Sequence, residues 1–258
     1  MAEGRLSMEP VSRYIKKYNI SLSDVDFTKH LKLSTLFGYF QDIASMAVEN
    51  LGIGIDVLGE KFSLAWILMR IRVDIIRNPV WNEEITVETW PQQPKKLEFE
   101  RDYIVKDAKG NILIRAVSIW FIIDIKTREL RKSELLPFHY PPFITERAID
   151  CKLGKLRPFG QTDVAYKRVI GYSDVDLNGH LNNSRYVDFI MDCFTVENHK
   201  KYGVKSFEIN YMNEAMPGDT LVLHRDISAL DSNWIYIEGV NEAGNKPVFN
   251  ARIEITAI

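Results

Sequence analysis

Cysteine is nearly absent: Cys151 and Cys193 are the two among 258 residues. Neither belongs to a CxxC pair, so neither a disulfide framework nor a cysteine-held metal organises the chain. Long hydrophobic runs are missing too. The longest, around Phe62–Met69 and Val117–Ile123, fall well below the ~20 residues of a membrane-spanning helix. Charge of one sign is not in excess. The formal net charge of −2 gives no global pull toward nucleic acid. The opening MAEGRLSMEP lacks the basic-then-apolar pattern of an export signal. A soluble, cytoplasmic protein is expected, with no nucleic acid partner and no stable membrane insertion. What is present, 46% hydrophobic and 26% charged residues, suits one large globular domain or two smaller ones.

One stretch stands out. Ser173–Cys193 reads SDVDLNGHLNNSRYVDFIMDC. Polar groups crowd its start, and Tyr186, Val187, Ile190, Met191 and Phe194 then recur at helical spacing. Asn182, Asn183 and Ser184 are all suitable N-caps. Asp176, Asn178 and His180 therefore belong to the turn before a helix, where free N–H groups and the helix dipole favour negative charge. The stretch occurs twice. Ser23–Asp42 aligns with it at an offset of 150 without a gap, with eight identities in twenty positions. Such a repeat sets the architecture before any single element does.

In chain order the first half reads as a strand (Arg13–Ile20), a helix from Ser34 to about Asn50, a loop over Leu51–Lys61, and then four strands. The first of the four has Ile67, Met69, Ile71, Val73 and Ile75 alternating inward. The others are Ile85–Trp90, Leu97–Val105 and Ile112–Ile125. The second half repeats the order with strand Val164–Tyr172, helix Ser184–His199 and four further strands from Val204 to Thr256. Pro79–Val87 matches Ala215–Leu223 at an offset of 136, and Gly110-Asn111 matches Gly244-Asn245 at 134. A long helix wrapped by an antiparallel sheet is the hotdog arrangement. Two copies whose edge strands pair leave fewer exposed edges. The expected fold is α+β: a tandem (double) hotdog, two long helices each wrapped by strands that join into one continuous sheet. Its parts would be 1–130, a connecting segment 131–160 rich in Pro and charge, and 161–258. Two separate α+β domains are the alternative. The internal pseudo-dimer removes the need for a homodimer without forbidding one.

The copies differ where chemistry would occur. Asp176, Asn178 and His180 face Asp26, Thr28 and His30, and Glu214 falls opposite Asn78. One copy thus keeps a carboxylate, an amide, an imidazole and a second carboxylate; the other is eroded. Glu214 could take a proton from water, His180 and Asn178 could orient the water or the base, and Asp176 could fix the imidazole. Backbone N–H groups near Leu181–Asn183 could stabilise an oxyanion. A histidine in a turn is more often structural, and Asp174, retained as Asp24, reads that way. Glu214 follows a strand whose buried positions are Phe207, Ile209 and Tyr211, so it points inward only if a bulge near Met212–Ala215 turns it.

At these residues the chain resembles the fatty acyl-acyl carrier protein (ACP) thioesterases. AWILMRIRVDIIRNPVWNEEITVETW, RDYIVKDAKGNILIRAVSIWFIIDIKTREL and IGYSDVDLNGHLNNSRYVDFIMD carry the resemblance, and DxNxHxNN is its most specific mark. It implies catalytic roles for Asp176, Asn178, His180 and Glu214, with no metal and no other cofactor. Plant members carry a Cys after that Glu; here Ala215 stands there, which excludes a cysteine nucleophile at that position. The implied reaction is hydrolysis of acyl-ACP to free fatty acid and ACP, ending fatty acid synthesis. The acyl chain would lie in the N-terminal hotdog, with Phe37, Phe40, Ile43, Met46, Trp66, Leu68 and Met69 as candidate wall residues. The carrier is acidic, so a basic cluster would dock it: Lys95, Lys96 and Arg101, or Lys152, Lys155, Arg157, Lys167 and Arg168. A 3-hydroxyacyl dehydratase on the same fold and a non-catalytic acyl-chain binding protein are the rival readings.

Overall fold

The computed structural model describes residues 9–135 and 140–258; the first eight residues of the opening read above for an export signal, and 136–139 of the connecting segment, lie outside them. Ten strands form one antiparallel sheet. They are β1 (Tyr14–Asn19), β2 (Leu64–Ile75), β3 (Glu84–Pro91), β4 (Phe99–Asp107), β5 (Ile112–Asp124), β6 (Asp163–Val169), β7 (Tyr202–Tyr211), β8 (Thr220–Asp226), β9 (Trp234–Asn241) and β10 (Lys246–Ala257). Their order is β1-β3-β4-β5-β2-β7-β10-β9-β8-β6, five strands of one half followed by five of the other. The halves meet where Arg70–Asp74 pairs with Asn210–Ser206. Arg72 pairs there with Glu208, its own equivalent at the 136 offset, so a pseudo-twofold axis passes through that pair. Helices α1 (Leu33–Asn50) and α3 (Asn183–Met191) lie against each other and the sheet. Their buried faces (Leu36, Phe37, Phe40 and Ile43; Tyr186, Val187, Phe189 and Ile190) share one core with Ile71, Val73, Phe207 and Ile209. No helix among the described residues is long and apolar enough to cross a membrane.

The structure corrects several local expectations. Helix α1 starts at Leu33 with Lys32 at the N-cap; Ser34, expected as the start of the helix, is buried inside the first turn. The expected loop after α1 contains a second helix, α2 (Ile55–Phe62). The second long helix is broken. It stops at Met191, and α4 (Val196–Lys201) restarts behind a capping box in which Thr195 and Asn198 bond each other's N–H groups. Alternation in β2 also changes phase. The register with β5 slips between Leu68 and Arg70, so Leu68 is buried with Ile71 and Val73 while Ile67 and Met69 are only half-buried. A bulge puts one extra residue in a strand and flips every side chain beyond it. Lys205, the equivalent of Met69, is skipped in the same way between β7 and β10.

From Glu146 to Gly160 the connecting segment is a strap across the outer face of the sheet. Trp90 Nε1 donates to Glu146 O (3.0 Å), and the buried Asp102 accepts from Ala148 N (2.8 Å). Leu153 packs on Val117 and Ile119. Asn210 Nδ2 donates to Gly154 O (2.9 Å) and Asn250 Nδ2 to Leu156 O (3.3 Å). The strap ends at the buried Asp226, which accepts from the N–H groups of Phe159 and Gly160 (both 2.7 Å) and of Ser228 (2.8 Å). Burial raises the Asp226 pKa, but the Ser228 hydroxyl and these N–H groups outweigh it and hold the carboxyl below its usual range. A depressed pKa contributes stability above the unfolded value near ~3.9 and loses it as pH falls through the folded value. Asp226→Ala is expected to cost about 3 kcal/mol at pH 7. Urea denaturation should show the gap to wild type narrowing below about pH 4; a constant gap would assign the loss to packing alone.

Candidate active site

The motif turn is closed by its own backbone. Val175 and Leu181 form a β-bridge. Asp176 N donates to His180 O (2.9 Å) and Gly179 N to Asp176 O (3.0 Å). Gly179 takes φ +78°, a left-handed conformation that glycine adopts without strain. Asn182 caps α3 by accepting from Ser184 N (2.8 Å). Asp174 is buried and accepts from Gly171 N (2.9 Å), the structural role expected of it. The Asp176 carboxylate accepts from Asn178 N (2.8 Å). It fixes the turn and not the imidazole, contrary to expectation. Of the proposed oxyanion donors, Leu181 N is committed to Ala215 O and Asn182 N to Asp174 O (both 2.9 Å). Asn178 is exposed.

The first copy has the same frame with its polar groups tied off. Asp26 N donates to His30 O (2.9 Å) and Leu31 N to Pro79 O (2.8 Å). Lys29 sits at φ +65° where the second copy has glycine. The Thr28 hydroxyl donates to Asp26 Oδ1 (2.6 Å) and lies 2.9 Å from His30 Nδ1. Asn78 Nδ2 donates to Leu31 O (3.1 Å). The Thr28 hydroxyl, one Asp26 oxygen, His30 Nδ1 and the Asn78 amide are thus engaged locally.

Glu214 follows the end of β7, in the loop whose Ala215 carbonyl holds Leu181. It reaches the site because the strand has ended, with no bulge needed. Its Oε2 lies 3.7 Å from His180 Nε2, too long for a direct hydrogen bond and suited to a bridging water. Its other oxygen pairs with Arg128, a residue of the first half that sequence reasoning did not single out. Arg128 sits at φ +60° in the turn after β5, and nothing in the repeat marks that position.

Asp176, Asn178, His180 and Glu214 all line one cavity of about 730 Å³. Its apolar depth comes from the first half: Ala44, Ser45 and Val48 on α1, Leu58 and Gly59 on α2, and Trp66, Leu68 and Met69 on β2. Trp66, Leu68 and Met69 are thus among its walls. Phe37, Phe40 and Ile43 are not; they lie in the shared core on another face of α1. Met46 is half-buried and also outside the wall. The contribution of α2 was missed, although Ile55, Leu58 and Phe62 recur at helical spacing. Of the basic residues, Arg101 is buried and forms part of the cavity wall, so it does not belong to a surface cluster. Lys167 pairs with Glu242, and Arg168 with Asp174 and Asp192. Lys152, Lys155 and Arg157 are exposed. Neither cysteine lines the cavity, and burial pushes the Cys193 thiol up to about 12, which makes it inert at neutral pH.

Residues 12–134 match the model of the acyl-ACP thioesterase N-terminal domain and 162–253 that of the C-terminal domain. The chain is 27% identical to the chloroplastic oleoyl-acyl carrier protein thioesterase 2 of Arabidopsis thaliana over 84% of its own length and 63% of the relative's. It is likewise 27% identical to the palmitoyl-acyl carrier protein thioesterase of Cuphea hookeriana, over 77% and 51%. It therefore spans between about half and just under two thirds of the curated relatives it matches. Its fold is that of an acyl-ACP thioesterase from Bacteroides thetaiotaomicron (TM-score 0.86, 24% identity, 95% of this chain and 98% of that one). The 12:0-ACP thioesterase of Umbellularia californica shares it as well (TM-score 0.81, 20% identity, 96% and 98%).

Proposed function

The chain belongs to the acyl-ACP thioesterase family, and on that premise we propose that it hydrolyses fatty acyl-ACP to free fatty acid and ACP, ending fatty acid synthesis. One observation carries the reading: a carboxylate, an amide, an imidazole and a second carboxylate share a cavity with a deep apolar wall. The volume is in the range of ligand sites, which are mostly apolar with a few placed polar groups. The acyl chain lies along α1, α2 and β2, with the thioester beside His180. Glu214 takes a proton from water as the water oxygen bonds the carbonyl carbon. His180 holds that water across the 3.7 Å gap to Glu214. The Asn178 amide donates to the carbonyl oxygen as charge develops there, and Asp176 holds the turn that presents it. The C–S bond then breaks and the proton passes to the leaving sulfur. Residues 1–130 accordingly supply the chain-binding half with the degenerate turn, 131–160 the connection and 161–258 the catalytic half. Arg128 and Lys246 add positive charge to the cavity wall, which suits an acidic carrier.

The test is release of free thiol from acyl-ACP across a range of chain lengths. Release with a length optimum is the expected result. Tight retention of the chain without release would favour a binding protein instead.

A further inference from the structure

A second cavity, of about 200 Å³, lies in the other half, between the α3–α4 break and the sheet. It is the pseudo-twofold mate of the first. Its helix-side residues Met191, Phe194 and Asn198 are the equivalents, at the motif offset of 150, of Gln41, Ala44 and Val48, all walls of the large cavity. On the sheet side Tyr202 and Val204 occupy the places of Trp66 and Leu68 at the junction offset of 136. Phe194 stands at the sequence equivalent of Ala44, and no counterpart of α2 or of the motif turn lines this cavity, which is smaller. The eroded turn at Asp26, Thr28 and His30 does not line it, so this pocket stands apart from both motif turns.

The mouth is not apolar. Arg225 lines the cavity, lies over the Phe194 ring (5.6 Å) and donates to Cys193 O (2.6 Å). No carboxylate pairs with it among the described residues. His199 stands beside it, its Nε2 3.1 Å from Met191 O. Tyr202, Ile227 and Leu230 leave large apolar surface exposed around the opening. An apolar cavity ending at an uncompensated guanidinium matches a hydrocarbon chain ending in a carboxylate. Apolar cavities of roughly 150 Å³ hold benzene, so this one takes about six to eight chain carbons.

We propose that this cavity is a second, non-catalytic site for a medium-chain free fatty acid, with the chain between α3 and β7 and the carboxylate on Arg225. The ligand is of the class the proposed reaction releases, so the inference rests on that reading for its ligand's source; the site itself stands on the cavity and Arg225. Calorimetric titration of the protein with octanoate is expected to give two sites per chain. Val204→Phe fills the small cavity and should leave one site, with hydrolysis of acyl-ACP unchanged within two-fold. Arg225→Gln keeps the cavity and should weaken the second site about ten-fold, which tests the inference if Val204→Phe does not fold. One site in the wild type, two undiminished sites in Val204→Phe, or unaltered affinity in Arg225→Gln would overturn it. Absence of fatty acid release by the wild type would instead count against the thioesterase reading, and the octanoate stoichiometry is measured independently of that.

Discussion

Glu214→Gln is expected to lower kcat by roughly 10²–10⁴-fold, the range for loss of a positioned general base, with KM nearly unchanged. The amide keeps the size of the side chain and its reach toward Arg128 but cannot accept a proton from water. An interaction made only in the transition state lowers kcat and kcat/KM together, whereas loss confined to KM would make Glu214 a binding group. The pair with Arg128 offers a competing explanation, that Glu214 merely ties the two halves together at the cavity wall. Arg128→Gln separates the two. A tie would make both variants equally damaging; a base leaves Arg128→Gln within about ten-fold of wild type, as expected for an exposed ion pair worth ~1 kcal/mol or less. Adding His180→Ala to Glu214→Gln should cost little more, because groups that act as a unit are non-additive. Steady-state thiol release on one acyl-ACP settles each arm, and turnover near wild type in Glu214→Gln would remove it from the mechanism.

Repetition made the fold legible. Eight identities at one offset fixed two copies of one unit, and the pairing of Arg72 with Glu208 across the junction is what such copies give when their edge strands meet. The site was legible through difference within the repeat: Thr28 for Asn178 and Asn78 for Glu214 marked which turn keeps free polar groups. What escaped notice depends on contacts distant in sequence. Strand alternation in β2 looks unbroken in the sequence because a bulge leaves no mark in an apolar run; Met69 is skipped only relative to β5. Phe37, Phe40 and Ile43 were wall candidates only through the family resemblance; periodicity says that a helix face is buried, not whether it meets a sheet, a neighbouring helix or a cavity. Arg128 was invisible because its partner lies 86 residues away. The helix break after Met191 was readable, since Thr195 and Asn198 spell a capping box; the apolar stripe running on to Phe194 hid it.

Ala44 is where the two pockets diverge, and it carries the other large expected effect. It is buried on α1 and lines the large cavity, while Phe194 takes its place in the small one. The exchange is one contrast between the cavities of about 730 and about 200 Å³; the larger one also has walls on α2 and the motif turn. Ala44→Phe is expected to move the chain-length optimum of hydrolysis shorter and to cut kcat/KM for the longest accepted chain by about 10²-fold, since each excluded methylene costs ~1–3 kcal/mol. Overpacking a filled core costs about 1–3 kcal/mol, but here the ring enters open volume, so the melting temperature should fall little. The shortest accepted chain, which does not reach Ala44, should turn over at close to the wild-type rate, since the polar set at Asp176, Asn178, His180 and Glu214 is untouched. A uniform loss at every chain length would mean that the ring had disturbed α1 and through it α3. An unchanged length profile would mean that the acyl chain does not run along α1, and the walls on β2 and α2 would then have to set chain length without it.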